Sequence, residues 1–135
     1  MKKILILAAV ALAAGANAAD YPLKDKPVTI VVPFAAGGPT DLVARQLGET
    51  MRKTMGGGAN FVVENTAGAG GTIGATKVAR AAPDGHTLLL FHIGMAATPA
   101  LYRRLPYKPL EDFEYLGMVN DVPMTLVGKP QLPAN

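Results

Sequence analysis

Residues 27–45 read PVTIVVPFAAGGPTDLVAR, and the character of the sequence changes twice within this stretch. The proline-bounded run at 27–33 is short, apolar and rich in β-branched side chains, which predicts a buried strand. Residues 34–41 form a loop with two adjacent glycines. From Leu42 onward apolar residues recur about every four positions, as on the buried face of a helix, until the glycines at 56–58 end it. The stretch therefore predicts a strand, a glycine-rich loop and a helix in succession.

The same alternation continues along the chain. A second strand is predicted at 60–64, a second glycine-rich loop at 65–71 and a second helix at 72–82, followed by a turn at 83–85 and a third strand at 86–92. Strands that alternate with helices of this length form right-handed crossovers and hence a parallel sheet. The sequence therefore predicts an α/β fold in which helices flank a parallel-rich sheet.

The chain after Tyr102 has a different pattern. A charged, proline-punctuated stretch, residues 103–112, is expected to link the α/β units to two further strands. Those strands are predicted at 113–119 and 124–127, where apolar residues dominate. The last part of the chain is therefore expected to consist of strand and loop.

Residues 1–19 have the organisation of a signal peptide. Two lysines follow the initiator Met, residues 4–14 are an uninterrupted apolar run of eleven, and small residues at 15–18 match the A-x-A pattern that signal peptidase accepts. Eleven apolar residues are too few to span a bilayer, which takes roughly 18 or more. We therefore expect cleavage near Ala18 or Ala19, export from a bacterial cytoplasm to the periplasm, and no stable membrane insertion of the mature chain.

The composition excludes several kinds of chemistry. The chain has 135 residues with no Cys and no Ser, so Ser and Cys nucleophiles, disulfides and thiolate metal sites are impossible. The formal net charge is +3, but Lys2 and Lys3 belong to the predicted signal peptide, and the remaining 11 basic and 10 acidic residues give +1. No basic patch is left that would bind nucleic acid. The length allows one compact domain.

The two glycine-rich loops are candidate parts of one binding site. In a parallel α/β sheet, ligands bind beyond the carboxyl ends of the strands, where loops lead into helix N-termini. Gly37 and Gly38 precede the first predicted helix, and the run at 68–71 precedes the second. Glycines let a ligand approach backbone N–H groups, and the first helical turn leaves such donors unpaired and partly positive. The two loops together predict a site for a carboxylate or a phosphate that needs no Arg or Lys.

Two alternatives remain open from the residues alone. The glycines can serve only tight turns and close packing, and Thr40 and Thr72 can serve only as helix caps. The anion can also be a nucleotide, which would make the chain an α/β nucleotide-binding domain of a truncated enzyme. The first loop lacks G-x-G-x-x-G, and Ile73 stands at the third glycine position of the second loop. Glu64, however, ends the second predicted strand, where a ribose-binding acid would lie.

No constellation of side chains indicates catalysis or metal binding. His86 and His92 stand six positions apart on the third predicted strand, roughly 20 Å at about 3.3 Å per residue, which is too far to share one metal. We expect His86 to be a solvated strand end, whereas His92 is a candidate to line the cleft. Asp41 and Arg45 are expected to form an exposed structural pair on the first helix. We therefore predict no enzyme activity, no catalytic residue, no metal and no cofactor.

Three segments together resemble the signatures of a known family. Residues 33–45, which read PFAAGGPTDLVAR, resemble the first signature of the Bug family, the solute-binding receptors of tripartite tricarboxylate transporters. Residues 63–74 (VENTAGAGGTIG) are similar to its second signature, and residues 83–89 (PDGHTLL) to its turn and third strand. Two departures are local: residues 66–67 (TA) stand where the family usually has a basic residue and proline, and the turn at 56–58 contains more glycine than usual.

The resemblance implies a periplasmic receptor that captures a small carboxylate for a membrane transporter. The implied fold is a lobe like those of type II periplasmic binding proteins, which closes with a second lobe on the ligand. The membrane subunits of a cognate tripartite transporter are the implied partners. In this family two loops of the first lobe grip a carboxylate through backbone groups, small hydroxyls and ordered water. Phe34 would be an apolar wall of the cleft, and the gripping positions carried over are Ala36, Gly37, Gly38, Thr40, Asp41, Ala69, Gly70, Gly71 and Thr72.

Members of the family are more than twice as long as this chain. We therefore expect residues 20–135 to be the N-terminal lobe of a two-lobed solute-binding protein, incomplete and with the second lobe absent. Half a cleft leaves a ligand hydrated and lacks the distal contacts, so the chain alone is expected to bind carboxylates weakly. An exposed sheet edge and an uncovered apolar face are expected to make it associate.

Overall fold

A computed structural model describes residues 21–23, 25–56, 58–123, 125 and 127–129. The predicted signal peptide lies outside these residues. Three strands are present, β1 (Val28–Val32), β2 (Phe61–Asn65) and β3 (Thr87–Leu89). Three α-helices accompany them, α1 (Pro39–Thr54), α2 (Thr72–Ala79) and α3 (Gly94–Leu101), and a single 3₁₀ turn (Ala69–Gly71) leads into α2.

The strands form one parallel sheet in the order β2-β1-β3. Val28 of β1 aligns with Phe61 of β2, and Thr29 aligns with Thr87 of β3. This topology follows from the alternation of strands and helices, because a crossover helix returns each strand in the same direction. The predicted α/β fold with a parallel sheet and flanking helices is confirmed.

Strand β1 is the centre of the hydrophobic core. Because it has a strand on either side and packing on both faces, its apolar side chains are between 0% and 1% exposed. On one face Ile30 and Val32 pack with Ala44 of α1. On the other face Ala75 of α2 packs with Met95 of α3 and with Tyr107. The two faces hold α1 and α2 against opposite sides of the sheet.

The helix ends differ from the sequence prediction in explicable ways. Helix α1 begins at Pro39 instead of Leu42, since proline suits the first helical position, where its missing N–H costs nothing. It ends at Thr54, just before Gly56, whose φ is +82°. Helix α2 ends at Ala79 instead of Ala82, and Arg80 closes it through a backbone hydrogen bond to the Thr76 carbonyl at 3.2 Å.

The third strand is shorter than predicted, and a helix follows it that the sequence did not indicate. Only Thr87–Leu89 pairs with β1, and the chain then turns into α3. Helix α3 contains Pro99 and a mixture of Ala, Thr and Met without a clear apolar period, so neither the strand pattern nor the helix pattern could be recognised there.

The strand predicted at 113–119 is wrong, since these residues carry no secondary structure. The described chain offers these residues no neighbouring strand to pair with, and Leu116 and Met118 are therefore 78% and 85% exposed. Of the strand predicted at 124–127, two residues lie outside the described part, and the other two have no strand structure. The helices that the structure describes are all too short or too polar to cross a bilayer.

Candidate functional site

Two loops leave the carboxyl edge of the sheet side by side. The first loop (residues 33–38) follows β1 and leads into α1, and the second loop (residues 66–71) follows β2 and leads into α2. Because β1 and β2 are parallel neighbours, both loops emerge at the same edge. The Thr66 N–H donates to the Val32 carbonyl at 2.9 Å, which continues the strand pairing up to the base of the loops.

Asn65 links the two loops through its side chain. Its Nδ2 donates to the Phe34 carbonyl of the first loop at 3.1 Å and to Oδ1 of Asp41 at 3.0 Å. Asn65 is the last residue of β2, so this amide fixes the end of one strand to the loop of its neighbour. Asn65 was not among the predicted site residues, because the sequence places it at the start of the second glycine-rich loop, where an Asn commonly serves a turn alone.

Asp41 organises the first loop from inside it. Its side chain is only 2% exposed, and Oδ2 accepts from the Gly37 N–H at 2.8 Å and from Arg45 Nε at 2.9 Å. The Arg45 hydrogen bond is the main reason why the pKa of Asp41 is lowered to about 2, with the Gly37 N–H next in importance. The expected Asp41–Arg45 pair is present and Arg45 is exposed as predicted, but the Asp41 carboxylate is buried, because Asn65 and the loop cover it.

The start of α1 keeps backbone donors without a side-chain cap. Its N-cap is Gly38, which has no side chain to offer, and Pro39 has no N–H. The first intrahelical bond runs from the Leu42 N–H to the Gly38 carbonyl at 3.0 Å. The N–H groups of Thr40 and Asp41 therefore precede that bond at the partly positive end of the helix.

The second loop has an unusual backbone that glycine makes possible. Residues at its tip adopt positive φ angles, namely Gly68 at +132°, Ala69 at +45°, Gly70 at +61° and Gly71 at +94°. A Cβ at Gly71 would lie 2.6 Å from the ring of Phe91, and one at Gly70 would lie 2.6 Å from Oη of Tyr102. Gly71 is also the N-cap of α2, again without a side-chain cap. The loop therefore exposes main chain at Ala69 and Gly70, whereas Gly71 is buried beside Phe91.

Helix α2 starts unusually close to the first loop. A Cβ at Gly74 would lie 2.8 Å from Cβ of Pro33 and 2.9 Å from the Thr66 carbonyl oxygen, both shorter than ordinary contacts. The helix backbone can approach the end of β1 only because this position is glycine. The two helix starts are thereby held next to each other at one edge of the sheet.

An aromatic cluster stands beside the first loop. Phe34 stacks on the His92 imidazole with ring centroids 4.6 Å apart and an interplanar angle of 12°, and Phe91 meets Phe34 edge-on at 5.3 Å. His92 is exposed, and its Nδ1 accepts from the Gly94 N–H at 2.9 Å. Phe34 and His92 therefore lie together at the rim of the loops.

The other histidine is not where the sequence predicted. His86 is 4% exposed instead of solvated, because residues 21–23 fold over it. Its Nε2 accepts from the Leu23 N–H at 3.3 Å, and its ring meets Tyr21 edge-on at 5.3 Å. This covering segment precedes the first strand, so local sequence around His86 carried no sign of it.

Glu64 is engaged in the fold. Its Oε1 forms an ion pair with Lys77 of α2 and accepts from the Thr66 hydroxyl at 2.8 Å. The Lys77 hydrogen bond is the largest reason why the pKa of Glu64 lies below its ordinary value. A carboxylate paired in this way is poorly suited to receive a ribose hydroxyl, which weakens the nucleotide alternative.

The predicted contact residues fall into two groups by exposure. Those that are exposed or half-buried at the sheet edge are Phe34, Ala36, Gly37, Gly38, Thr40, Ala69 and Gly70. Those that are buried are Asp41, Gly71 and Thr72. The structure brings both loops to one edge, and the assignment of these residues to a ligand stays a prediction. In chemical terms the edge offers backbone donors, one half-buried hydroxyl and an aromatic wall.

A parallel sheet with two adjacent helix starts at the carboxyl ends of its strands has the architecture of the α/β class, in which ligands commonly bind at this end of the sheet. Residues 43–135 match the family described as the tripartite tricarboxylate transporter family receptor, and the chain belongs to this family. A protein of Agrobacterium vitis, encoded in the TAR-I ttuE-ttuC' intergenic region, is 52% identical over 129 residues, which cover 95% of this chain and 36% of that protein. BugT of Bordetella pertussis is 40% identical over 134 residues, covering 95% of this chain and 39% of BugT.

Several solved structures are similar to this chain in sequence and in fold. The periplasmic binding protein BugD is 58% identical, with a TM-score of 0.63 over 67% of this chain and 29% of BugD. MatC of Rhodopseudomonas palustris, solved with bound malate, is 52% identical, with a TM-score of 0.62 over 67% of this chain and 31% of MatC. Rpa4515 of R. palustris, solved with adipate, is 38% identical, with a TM-score of 0.60 over 67% of this chain and 29% of that protein. The chain spans little more than a third of the relatives it matches in sequence.

Proposed function

We propose that this chain is the first lobe of a periplasmic receptor that captures a small carboxylate for a tripartite tricarboxylate-type membrane transporter. The observation that carries the proposal is the pair of helix starts without side-chain caps that Asn65 and Gly74 hold at one edge of the sheet. Malate and adipate in two similar proteins support a carboxylate as the ligand class.

The proposed mechanism of capture uses the main chain. A carboxylate at the sheet edge would accept from the N–H groups of Thr40 and Asp41 and from the second loop, and the partial charge of each helix start adds attraction. The Arg45 guanidinium is already paired with the Asp41 carboxylate and so stabilises the first loop. The negative charge of the ligand would therefore interact with backbone dipoles and not with Arg45. Phe34 would cover the carbon skeleton of the ligand.

The proposal includes export and a second lobe. Residues 1–19 would be removed as a signal peptide, and residues 20–135 would form an incomplete N-terminal lobe that works by closing against a second one. The two loops form only one side of such a cleft, so a ligand held by them alone stays partly hydrated, and we expect residues 1–135 to bind carboxylates weakly. The membrane subunits of the cognate transporter would be the partners of the closed receptor.

Calorimetric titration of the chain with malate, adipate and citrate, and in parallel with ATP and NAD, tests the proposal. We expect weak saturable heat with at least one carboxylate and none with the nucleotides. Heat with nucleotides alone would support the α/β nucleotide-binding alternative and contradict the receptor.

A matched pair of glycine variants tests whether backbone donors are responsible. Gly38→Val places a branched side chain at the N-cap of α1, where even a Cβ would be 3.3 Å from the Ala35 carbonyl oxygen, and it should abolish the carboxylate heat. Gly117→Val is the control, since a Cβ there meets nothing within 4 Å. If Gly38→Val binds the carboxylate with full affinity, the first loop does not form the binding site.

A further inference from the structure

We infer that Tyr102 is a positioning residue for the proposed carboxylate site, because its hydroxyl fixes the peptide between Ala69 and Gly70. The inference rests on the proposed function. Tyr102 is half-buried at the C-terminal end of α3, outside both loops, and its hydroxyl donates to the Ala69 carbonyl at 2.8 Å. A residue 33 positions away thereby contacts the tip of the second loop.

The direction of one backbone donor depends on this contact. The Ala69 carbonyl accepts from the Tyr102 hydroxyl and also from the Thr72 N–H at the start of α2. In a planar trans peptide, the carbonyl and the following N–H point in opposite directions. With the Ala69 oxygen held towards Tyr102, the Gly70 N–H is held on the other side, away from the tyrosine. Within the described residues no backbone carbonyl outside the 3₁₀ turn accepts this N–H.

The loop needs such a hold because its conformation is not one that its sequence favours by itself. Ala69 has a φ of +45°, a region that is unfavourable for a residue with a Cβ. The flanking glycines prefer no single conformation, so the free loop would sample several. Tyr102 also fills the space over Gly70, since a Cβ there would lie 2.6 Å from its hydroxyl oxygen. The Tyr102 hydroxyl thus adds a hydrogen bond from outside the loop to those that the Gly71 and Thr72 N–H groups make within it, and so favours one arrangement of residues 69–71.

Tyr102→Phe is the test, since it removes only the hydroxyl. Tyr115→Phe is the matched control, because the Tyr115 hydroxyl also donates to a backbone carbonyl, that of Pro109 at 3.0 Å, on a stretch outside both loops. Amide hydrogen exchange is followed at Gly71, whose N–H is bonded to the Gly68 carbonyl at 2.9 Å within the second loop, and at Thr29 in the core. Malate titration is carried out on the same three proteins.

We expect Tyr102→Phe to speed exchange at Gly71 about five-fold and to weaken malate binding by a similar factor, as for the loss of one ordinary hydrogen bond. Exchange at Thr29 should not change, and Tyr115→Phe should alter neither quantity. Unchanged exchange at Gly71, equal acceleration at Thr29, or faster loop exchange with full malate affinity would each overturn the inference. Failure of the unaltered chain to bind malate would count against the proposed function instead, and exchange at Gly71 would still decide whether Tyr102 fixes the loop.

Discussion

Replacing Asn65 by Ala should loosen the edge of the sheet on which the proposed site depends. The amide donates two hydrogen bonds, one to the Phe34 carbonyl and one to the Asp41 carboxylate. Each such bond contributes on the order of 1 kcal/mol to stability, so we expect the free energy of unfolding to fall by about 2 kcal/mol. For a domain of about 100 residues this corresponds to a drop in Tm of roughly 10 °C.

Asn60→Ala is the matched control for this prediction. Asn60 precedes β2 at the opposite end, is exposed, and contributes its backbone carbonyl to the Val28 N–H, a bond that the substitution leaves in place. Thermal and urea unfolding followed by far-ultraviolet circular dichroism measure both variants. If the free energies of unfolding of Asn65→Ala and Asn60→Ala agree within about 0.5 kcal/mol, the Asn65 amide does not stabilise the junction of the two loops, contrary to this prediction.

Gly74→Ala should lower the free energy of unfolding by about 1–2 kcal/mol, because overpacking against Pro33 outweighs the gain in helix propensity. Gly117→Ala is the control: a Cβ there meets nothing within 4 Å, so the same unfolding assay should show almost no change. The pKa values of Asp41 and Asp84 are lowered to about 2. The stability that these carboxylates provide should therefore be complete above about pH 4 and should fall between pH 4 and pH 2. A thermal unfolding midpoint that stays constant from pH 4 to pH 2 would contradict this. Strand β3 has one hydrogen-bonded neighbour in the described chain, so sedimentation should detect concentration-dependent association, and a strictly monomeric chain at high concentration would argue against an exposed edge.

The alternation of strands and helices was predictable because each signal was local. The β-branched run at 28–32 lies between prolines, and the run of glycines at 56–58 follows a helix with a regular apolar stripe. Parallel pairing then follows from connection length alone. For the same reason the sequence alone predicts both glycine loops at one edge of the sheet.

The sequence predictions that were wrong concern residues whose structure depends on contacts with residues far away in the sequence. The apolar pattern at 113–119 predicts a strand only if a neighbouring strand exists to pair with it. His86 is buried by the segment that precedes β1, and Asp41 by an amide from the next strand. Tyr102 reaches its loop across 33 positions. No local pattern encodes such contacts, so the scaffold of the site was predictable whereas the side chains that hold it were not.

In the proposed receptor, backbone amides at two neighbouring helix starts attract the carboxylate. The most direct test is a titration of the ¹⁵N-labelled chain with malate, followed by the shift of each backbone amide signal. We predict progressive, saturable shifts concentrated at Thr40, Asp41 and residues 69–72, with little change elsewhere. Saturable shifts centred on another part of the chain, or none at all at high malate concentration, would contradict the claim.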